Sequence, residues 1–127
     1  MSKIADVCRQ LWETTEFVAI VSNGPEGPHV VGTWGDYVRK LGIRDDVVVM
    51  PAGKYRQTEQ NLAHDPQLTL LIASRQVDGR NGPGQGCEIR GRGELVSEGA
   101  LVEEVKASFP WARGALVVHV EEVKTQL

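Results

Sequence analysis

The feature that most restricts the fold of this sequence is a series of short apolar runs with little chain between them. Runs of this kind, rich in β-branched residues and bounded by glycine, proline or polar turns, are typical of β-strands. We predict six strands, at residues 17–21, 29–37, 47–50, 68–73, 88–96 and 115–120, with a glycine–proline turn at 23–27. Because a parallel pair needs a long crossover connection, we expect mostly hairpin-linked antiparallel strands and not a doubly wound parallel sheet.

Three short helices are predicted beside these strands. Apolar residues from Ile4 to Trp12 recur at helical spacing, with Ser2 as the N-cap. A second helix over 54–65 ends before Pro66, since the residue before a proline avoids the α region, and a third covers 100–109. Residues 121–127 are expected to form a polar tail. The pattern predicts a mainly β fold, a six-stranded antiparallel barrel with short peripheral helices, as one domain over residues 1–127.

Charge and cysteine content exclude several classes of function. Seventeen acidic and fourteen basic residues give a net charge of -3, without the basic footprint of a nucleic-acid-binding protein. No apolar run approaches the ~20 residues of a membrane span, and the first ten residues lack the apolar stretch of a signal peptide. Two cysteines are too few for a zinc cluster or a disulfide framework. We therefore expect a cytoplasmic protein with reduced thiols that binds neither nucleic acid nor membrane.

The residues most often used in catalysis are dispersed along the chain. His29, His64 and His119 lie far apart in sequence, so no metal site is predicted. No serine lies in a GxSxG motif, and Cys8 and Cys87 are expected to be small core residues. We assign no catalytic residue.

Aromatic residues near glycines form the first candidate binding element. Trp34 and Tyr37 are predicted on the second strand, next to Gly32, and a glycine inside a strand often marks the close approach of a ligand. Trp111 lies beside Arg113 where the last strand begins, in a position suited to stacking on a planar ligand or a partner subunit. A simple core role for Trp34 is the alternative.

The second candidate element is a small-residue turn followed by a helix start, at residues 51–59 (PAGKYRQTE). Backbone N–H groups and the positive end of the dipole at a helix N-terminus bind phosphate well. Lys54, Arg56 and Thr58 add two cations and a hydroxyl, although a solvated helix start is the simpler interpretation. A phosphate site and an aromatic strand on one small barrel together indicate a planar, phosphorylated cofactor.

The third candidate is the irregular, glycine-rich segment at 76–86 (QVDGRNGPGQG). Its glycines precede a strand instead of lying between a strand and a helix, so it does not match a dinucleotide-binding fingerprint. The segment is either a hairpin connection or a loop that contacts a ligand, since long loops in compact domains are often functional.

Four stretches resemble the small FMN-binding members of the FMN-binding split-barrel family, which is related to pyridoxamine 5'-phosphate oxidase. They are residues 32–37 (GTWGDY), 57–61 (QTEQN), 79–84 (GRNGPG) and 111–116 (WARGAL), and the similarity runs from the first helix to the end of the sequence. The resemblance implies a homodimeric split barrel that holds non-covalent FMN at the dimer interface. Electrons would then pass to or from a redox partner protein or NAD(P)H.

The resemblance also implies which residues contact the cofactor. Thr33, Trp34 and Tyr37 would lie near the isoalloxazine ring, and Trp111 would be a further aromatic neighbour. The main chain of the small-residue turn would meet the polar edge of the ring, and Asn81 and Gly82 of the RNGPG loop would contact the ligand. Leu127 would approach the flavin across the dimer. The implied cofactor-binding set is Gly32, Thr33, Trp34, Tyr37, Pro51, Ala52, Gly53, Gln57, Thr58, Asn81, Gly82, Trp111 and Leu127.

Two positions depart from the family pattern. Gln57, with Thr58, matches the phosphate-binding pair, but the family has a basic residue where Gln57 stands. Lys54 or Arg56 would have to supply that charge. Gly32 stands where an asparagine is expected, which removes a polar side chain near the ligand. We expect FMN binding that is looser than in the small FMN-binding members of the family.

Several functions remain open on the sequence alone. The first is an FMN-binding flavoprotein of electron transfer or flavin-dependent reduction, with no assignment as an enzyme. The second is an oxidase of a pyridoxamine-type substrate, for which scattered arginines offer little support. The third is a non-catalytic module that binds flavin or another planar ligand, and the fourth is an interaction protein without a cofactor.

Overall fold

The computed structural model describes residues 3–127 of the chain. These residues form four helices and six strands, in the order α1 Asp6–Thr14, β1 Phe17–Gly24, β2 Gly27–Trp34, α2 Gly35–Leu41, β3 Val47–Ala52, α3 Arg56–His64, β4 Gln67–Gly79, β5 Gly82–Val96, α4 Ala100–Ser108 and β6 Gly114–Thr125. The N-cap predicted at Ser2 lies outside the described residues, and α1 begins at Asp6.

The described strands form one curled antiparallel sheet with the order β2-β1-β4-β5-β6-β3. Every strand pair is antiparallel, and Ile20 of β1 lies opposite Leu70 of β4 near the middle of the sheet. The predicted class, a mainly β split barrel of antiparallel strands with short peripheral helices, is therefore confirmed. None of the helices in residues 3–127 is long and apolar enough to span a membrane.

The concave face of the sheet holds the main core. Alternate residues of the central strands point inward, among them the fully buried Val18, Ile20 and Leu70. Helix α1 covers this core with Leu11 and Trp12, both almost completely buried. Burial of apolar area on this face supplies the main stabilising term, at about 25 cal/mol per Å² removed from water.

The convex face is covered on one half only. Over β3 and β6, a second cluster joins the strands to α2 and α4 through residues that include Leu41, Val102 and Val117. Over β1, β2 and β4, the convex side chains remain at the surface, and Phe17, Val30 and Leu71 are exposed. We call this second half, made of Phe17, Ala19, Val21, Val30 and Leu71, the open apolar face.

The predicted second strand, 29–37, is wrong after Trp34. Residues from Gly35 onward form α2, in which Val38 and Leu41 are buried one turn apart. The chain turns here because the Gly35 backbone lies against that of Thr15, where a Cβ would be 2.0 Å from the carbonyl oxygen. Tyr37 therefore lies on a helix and not in the middle of a strand.

The segment at 76–86 is a hairpin connection, which was one of its two interpretations, but it is not irregular, and the predicted polar tail is wrong. β4 continues to Gly79 and β5 begins at Gly82, so a two-residue turn joins them in a long hairpin. β6 continues to Thr125, which pairs with Cys87 of β5. Both segments are strands because backbone pairing along a long neighbouring strand outweighs their polar, glycine-rich composition.

Candidate functional site

A cleft of about 460 Å³ lies where the end of β2, the turn after β3 and the segment before β6 meet. Its lining residues are Gly32, Thr33, Trp34, Tyr37, Pro51, Gly53, Lys54, Tyr55 and Trp111. We call it the aromatic cleft. It brings together the predicted strand, the predicted small-residue turn and Trp111, which are far apart in sequence.

Two exposed indole rings stand at this cleft. Trp34 is 49% exposed and Trp111 is 54% exposed, although large aromatic side chains are usually buried in a domain of this size. The Trp34 ring contacts Phe17 edge-on, with centroids 5.7 Å apart, and the Trp111 ring contacts Tyr37 at 5.9 Å. A simple core role for Trp34 is thus excluded, and both indoles present apolar surface to the cleft.

The small-residue turn is shaped by its contact with Trp111. A Cβ on Gly53 would lie 3.1 Å from the Trp111 ring, so glycine lets the indole lie close to the turn. Arg113 supports the same turn from below, since its Nε donates to the Lys54 carbonyl at 3.0 Å and its Nη2 donates to Glu59 at 3.2 Å. The Arg113 side chain is therefore engaged in contacts within the protein that stabilise this turn. Ala52, another predicted site residue, is fully buried and is not among the residues that line the cleft.

Helix α3 begins at the same turn and carries an unusual hydroxyl. Thr58 is 0% exposed, and its Oγ1 has no hydrogen-bond partner among residues 3–127. A buried hydroxyl without a partner costs on the order of 1–3 kcal/mol, so natural proteins seldom keep one without a ligand or water to satisfy it. This hydroxyl lies in the first turn of α3, where the free N–H groups of a helix favour an anion.

Gln57 lies outside the aromatic cleft. Its side-chain amide donates to Asn61 Oδ1 at 2.8 Å, and Asn61 donates in turn to the buried Ser22 hydroxyl at 3.0 Å. Gln57 and Asn61 line a neighbouring cleft beside the β1–β2 turn. Of the two cations considered for the missing charge, Lys54 lines the aromatic cleft, while Arg56 is an exposed residue of α3.

Tyr55 is a cleft residue that the sequence analysis did not assign to the site. Its backbone has a left-handed conformation with φ 56°, and its hydroxyl donates to the Gly32 carbonyl at 2.8 Å. Burial raises the pKa of the phenol above its ordinary value, while a hydrogen bond from Thr33 acts in the opposite direction. The sequence pattern included Tyr55 in a predicted helix. Apolar periodicity does not reveal a left-handed residue, so its place in the cleft was not predicted.

The remaining predicted residues lie in a second cleft of about 240 Å³. Asn81, Gly82 and Leu127 line it, together with Gly79, Pro83 and Gly84. The buried Gln85 holds Leu127 here, accepting from its N–H at 2.7 Å and donating to its carbonyl at 2.9 Å. In the described part of the chain, the two clefts have no lining residue in common. One chain alone therefore does not assemble the whole predicted set.

The two cysteines are buried in the main core, as predicted. Cys8 of α1 and Cys87 of β5 are free thiols that hydrogen-bond to each other, and this contact together with burial raises the pKa of Cys8 above its ordinary range. Sequence separation concealed this contact. Within residues 3–127, no three histidine, cysteine or acidic side chains are grouped as metal ligands.

The comparisons with known proteins agree with this architecture. The profile of the family described as pyridoxamine 5'-phosphate oxidase matches residues 4–127. An FMN-binding protein from Nitratidesulfovibrio vulgaris (strain DSM 19637 / Miyazaki F) is 42% identical over 111 residues, which cover 87% of this chain and 88% of the relative.

Solved structures share the fold at lower sequence identity. HupZ from Group A Streptococcus superposes with a TM-score of 0.77 at 16% identity, over 97% of this chain and 99% of that protein. A FAD-binding protein from Mesorhizobium loti superposes with a TM-score of 0.66 at 10% identity, over 93% of this chain and 90% of that protein. At these identities the likeness describes the fold alone.

Proposed function

The chain belongs to the pyridoxamine 5'-phosphate oxidase family, and on that premise we propose that it is an FMN-binding flavoprotein of electron transfer or flavin-dependent reduction. The relative that is 42% identical is named an FMN-binding protein, which supports FMN as the ligand. The observation that carries the proposal is the buried Thr58 hydroxyl, which has no hydrogen-bond partner among residues 3–127, in the first turn of the helix that follows the cleft with the exposed indole rings.

The residues at α3 fit a phosphate group. Thr58 can donate one hydrogen bond from a buried position, and within residues 3–127 no side chain caps the N-terminus of α3, whose first N–H groups have no partner inside the helix. Lys54 lines the adjoining cleft, so it is the cation that would replace the basic residue of the family pattern at position 57. With Lys54 in that role, a cation, a hydroxyl and backbone N–H groups would still face the phosphate despite the departure at Gln57.

The aromatic cleft fits a planar ring. Trp34 and Trp111 would exclude water from the two sides of the ring, and Thr33 and the turn at 51–53 would face its polar edge. When bound, FMN supplies one- and two-electron transfer, while the protein sets orientation and solvent access. Lys54, Tyr37 and Tyr55 are the titratable side chains that line the cleft, and the Tyr55 hydroxyl already donates a hydrogen bond to the Gly32 carbonyl. We assign no acid or base among them.

We also propose a homodimer, with the site completed between two subunits. The open apolar face is the half of the sheet that none of the four helices in residues 3–127 covers, and Trp34 lies at its margin. A second copy seated there would bury Phe17, Val30 and Leu71. It would also let Leu127 and the turn at 80–84 of one subunit approach the aromatic cleft of the other.

The experiment that tests the function is a visible absorption spectrum of the purified protein, followed by mass spectrometry of the ligand that heat releases. We expect a yellow protein that releases about one FMN per chain. Reduction by NADH or by a redox partner would support electron transfer, and reduction by a pyridoxamine-type amine would indicate an oxidase. Bound flavin without either reaction would indicate a binding module. A colourless protein that does not take up added FMN would contradict the proposal.

A further inference from the structure

Tyr55 connects the two halves of the candidate site. Its ring lines the aromatic cleft, and its hydroxyl holds the Gly32 carbonyl of β2 at 2.8 Å. Its own carbonyl accepts from the Glu59 N–H at 2.8 Å, which is the first hydrogen bond of α3. One residue therefore ties the strand that carries Trp34 to the helix that carries Thr58.

The backbone of Tyr55 is strained where this connection is made. A φ of 56° lies in the left-handed region, which is uncommon for a bulky residue without a special turn. Such strain persists only where the surrounding contacts hold it. The contacts that hold Tyr55 are the bond to Gly32 and its packing against the main core.

We propose that Tyr55 is a positioning residue that sets the separation between the aromatic cleft and the proposed phosphate site at Thr58. A ligand that occupies both places then depends on Tyr55 more than a ligand that occupies only the cleft. The inference rests on the proposed function, since FMN reaches both places and riboflavin, which lacks the phosphate, reaches only the ring site. Tyr55 thus contributes to the preference for a phosphorylated flavin without touching the phosphate.

The test uses Tyr55→Phe, which keeps the ring and removes the hydroxyl. FMN and riboflavin are titrated into the apoprotein, and both dissociation constants are measured from flavin fluorescence. Loss of one neutral hydrogen bond corresponds to roughly a five- to tenfold change in a binding constant. We expect FMN binding to weaken by about that factor and riboflavin binding by less than about twofold.

Two further variants separate positioning from general damage. Tyr55→Asn tolerates the left-handed backbone but is too short to reach Gly32, so it should fold and show the same FMN-selective loss. Tyr37→Phe removes a different phenol from the same cleft and should change both constants by the same factor. Circular dichroism confirms that each variant is folded.

The outcomes are distinct. A fall in the FMN-to-riboflavin preference with Tyr55→Phe or Tyr55→Asn supports the inference. Equal losses for the two flavins, or no loss for FMN, overturn it while the wild type still binds FMN. If the wild type binds no FMN, both the proposed function and this inference fail.

Discussion

The Phe17 ring occupies the space into which a side chain at position 32 would extend. A Cβ built on Gly32 would lie 2.0 Å from Phe17 Cζ, far inside any permitted contact. Gly32 and Phe17 are neighbours on the convex side of β1 and β2, and Phe17 also contacts Trp34 edge-on. The glycine in place of the family's asparagine is therefore matched to a large ring on the adjoining strand.

We predict that Gly32→Ala lowers the free energy of unfolding by about 1–3 kcal/mol, the usual cost of overpacking. Phe17→Ala in the same chain should restore most of that loss, because it removes the ring that the new methyl group meets. Urea denaturation measures both changes. Gly86→Ala is the matched control, since its Cβ would have no backbone or side-chain contact closer than 3.3 Å. Additive effects of the two substitutions would contradict the coupling.

Thr58→Ala should separate stability from binding. The buried Thr58 hydroxyl has no partner among residues 3–127, so the Thr58→Ala apoprotein should be as stable as Thr58→Ser or more stable by up to about 1 kcal/mol, since both variants lose the same buried methyl group and only Ala also loses the hydroxyl. FMN binding should weaken at least several-fold, and riboflavin binding should change little, because riboflavin has no phosphate. Thermal denaturation and fluorescence titration measure the two effects, with Thr58→Ser as the control that keeps the hydroxyl. Equal losses of affinity for FMN and riboflavin would show that Thr58 does not contact the phosphate.

Leu71→Arg should convert the proposed dimer into monomers. Leu71 is 40% exposed on the open apolar face, so a charge there is tolerated in one chain but not between two apolar faces. Sedimentation equilibrium should show about half the wild-type mass, and FMN should bind more weakly. Ala107→Arg, on the exposed side of α4, is a control that should remain dimeric. An unchanged mass for Leu71→Arg would place the interface elsewhere.

Asp65 should make stability depend on pH in the acid range. Its carboxylate accepts from the Gln67 N–H at 3.0 Å and from Asn23 at 3.1 Å, and these bonds hold its pKa below the ordinary value. A lowered folded-state pKa adds stability above the unfolded value of about 3.9, and this contribution is lost as the pH falls through the folded-state pKa. The stability difference between wild type and Asp65→Asn should therefore be present at pH 6 and shrink below about pH 4. A difference that does not vary with pH would contradict the assignment.

Gln85→Ala should release Leu127 without unfolding the sheet. The Leu127 N–H donates to Gln85 Oε1 at 2.7 Å, so the substitution removes its acceptor. Hydrogen exchange followed by NMR should then show a marked loss of protection at Leu127. The Gln126 N–H, which donates to the Gly86 carbonyl at 2.9 Å, is an internal control that should stay protected. Equal loss at both amides would indicate that the whole β6 end has opened.

Much of the fold was predictable because its signals are local. The β-branched runs at 17–21 and 68–73 lie in strands, and the helical spacing at 100–109 matches α4 closely. The turn at 51–53 and Trp111 were also predictable as candidates, because small residues and isolated aromatics are informative in short windows. Their meeting in one cleft required the pairing of β3 with β6.

Other features had no local signal. The glycine–aromatic stretch before helix α2 resembles a strand in sequence, so the helix was not predicted. The chain turns into α2 because Gly35 approaches Thr15 closely, a contact that the local sequence does not reveal. The left-handed Tyr55 and the contact between Cys8 and Cys87 depend on residues distant in sequence.

By itself, the sequence determined the strand-forming segments, the antiparallel class and the residue types available for a planar, phosphorylated ligand. Periodicity, β-branching and turn residues act over a few positions, so they are legible without the fold. Only the tertiary structure decided that Thr58 is buried, that Tyr55 holds Gly32, and that, in the described part of the chain, the Thr58 hydroxyl has no partner and half of the convex face has no helix over it. These properties depend on strand order and register, which bring distant residues into contact and determine which side chains are exposed to solvent.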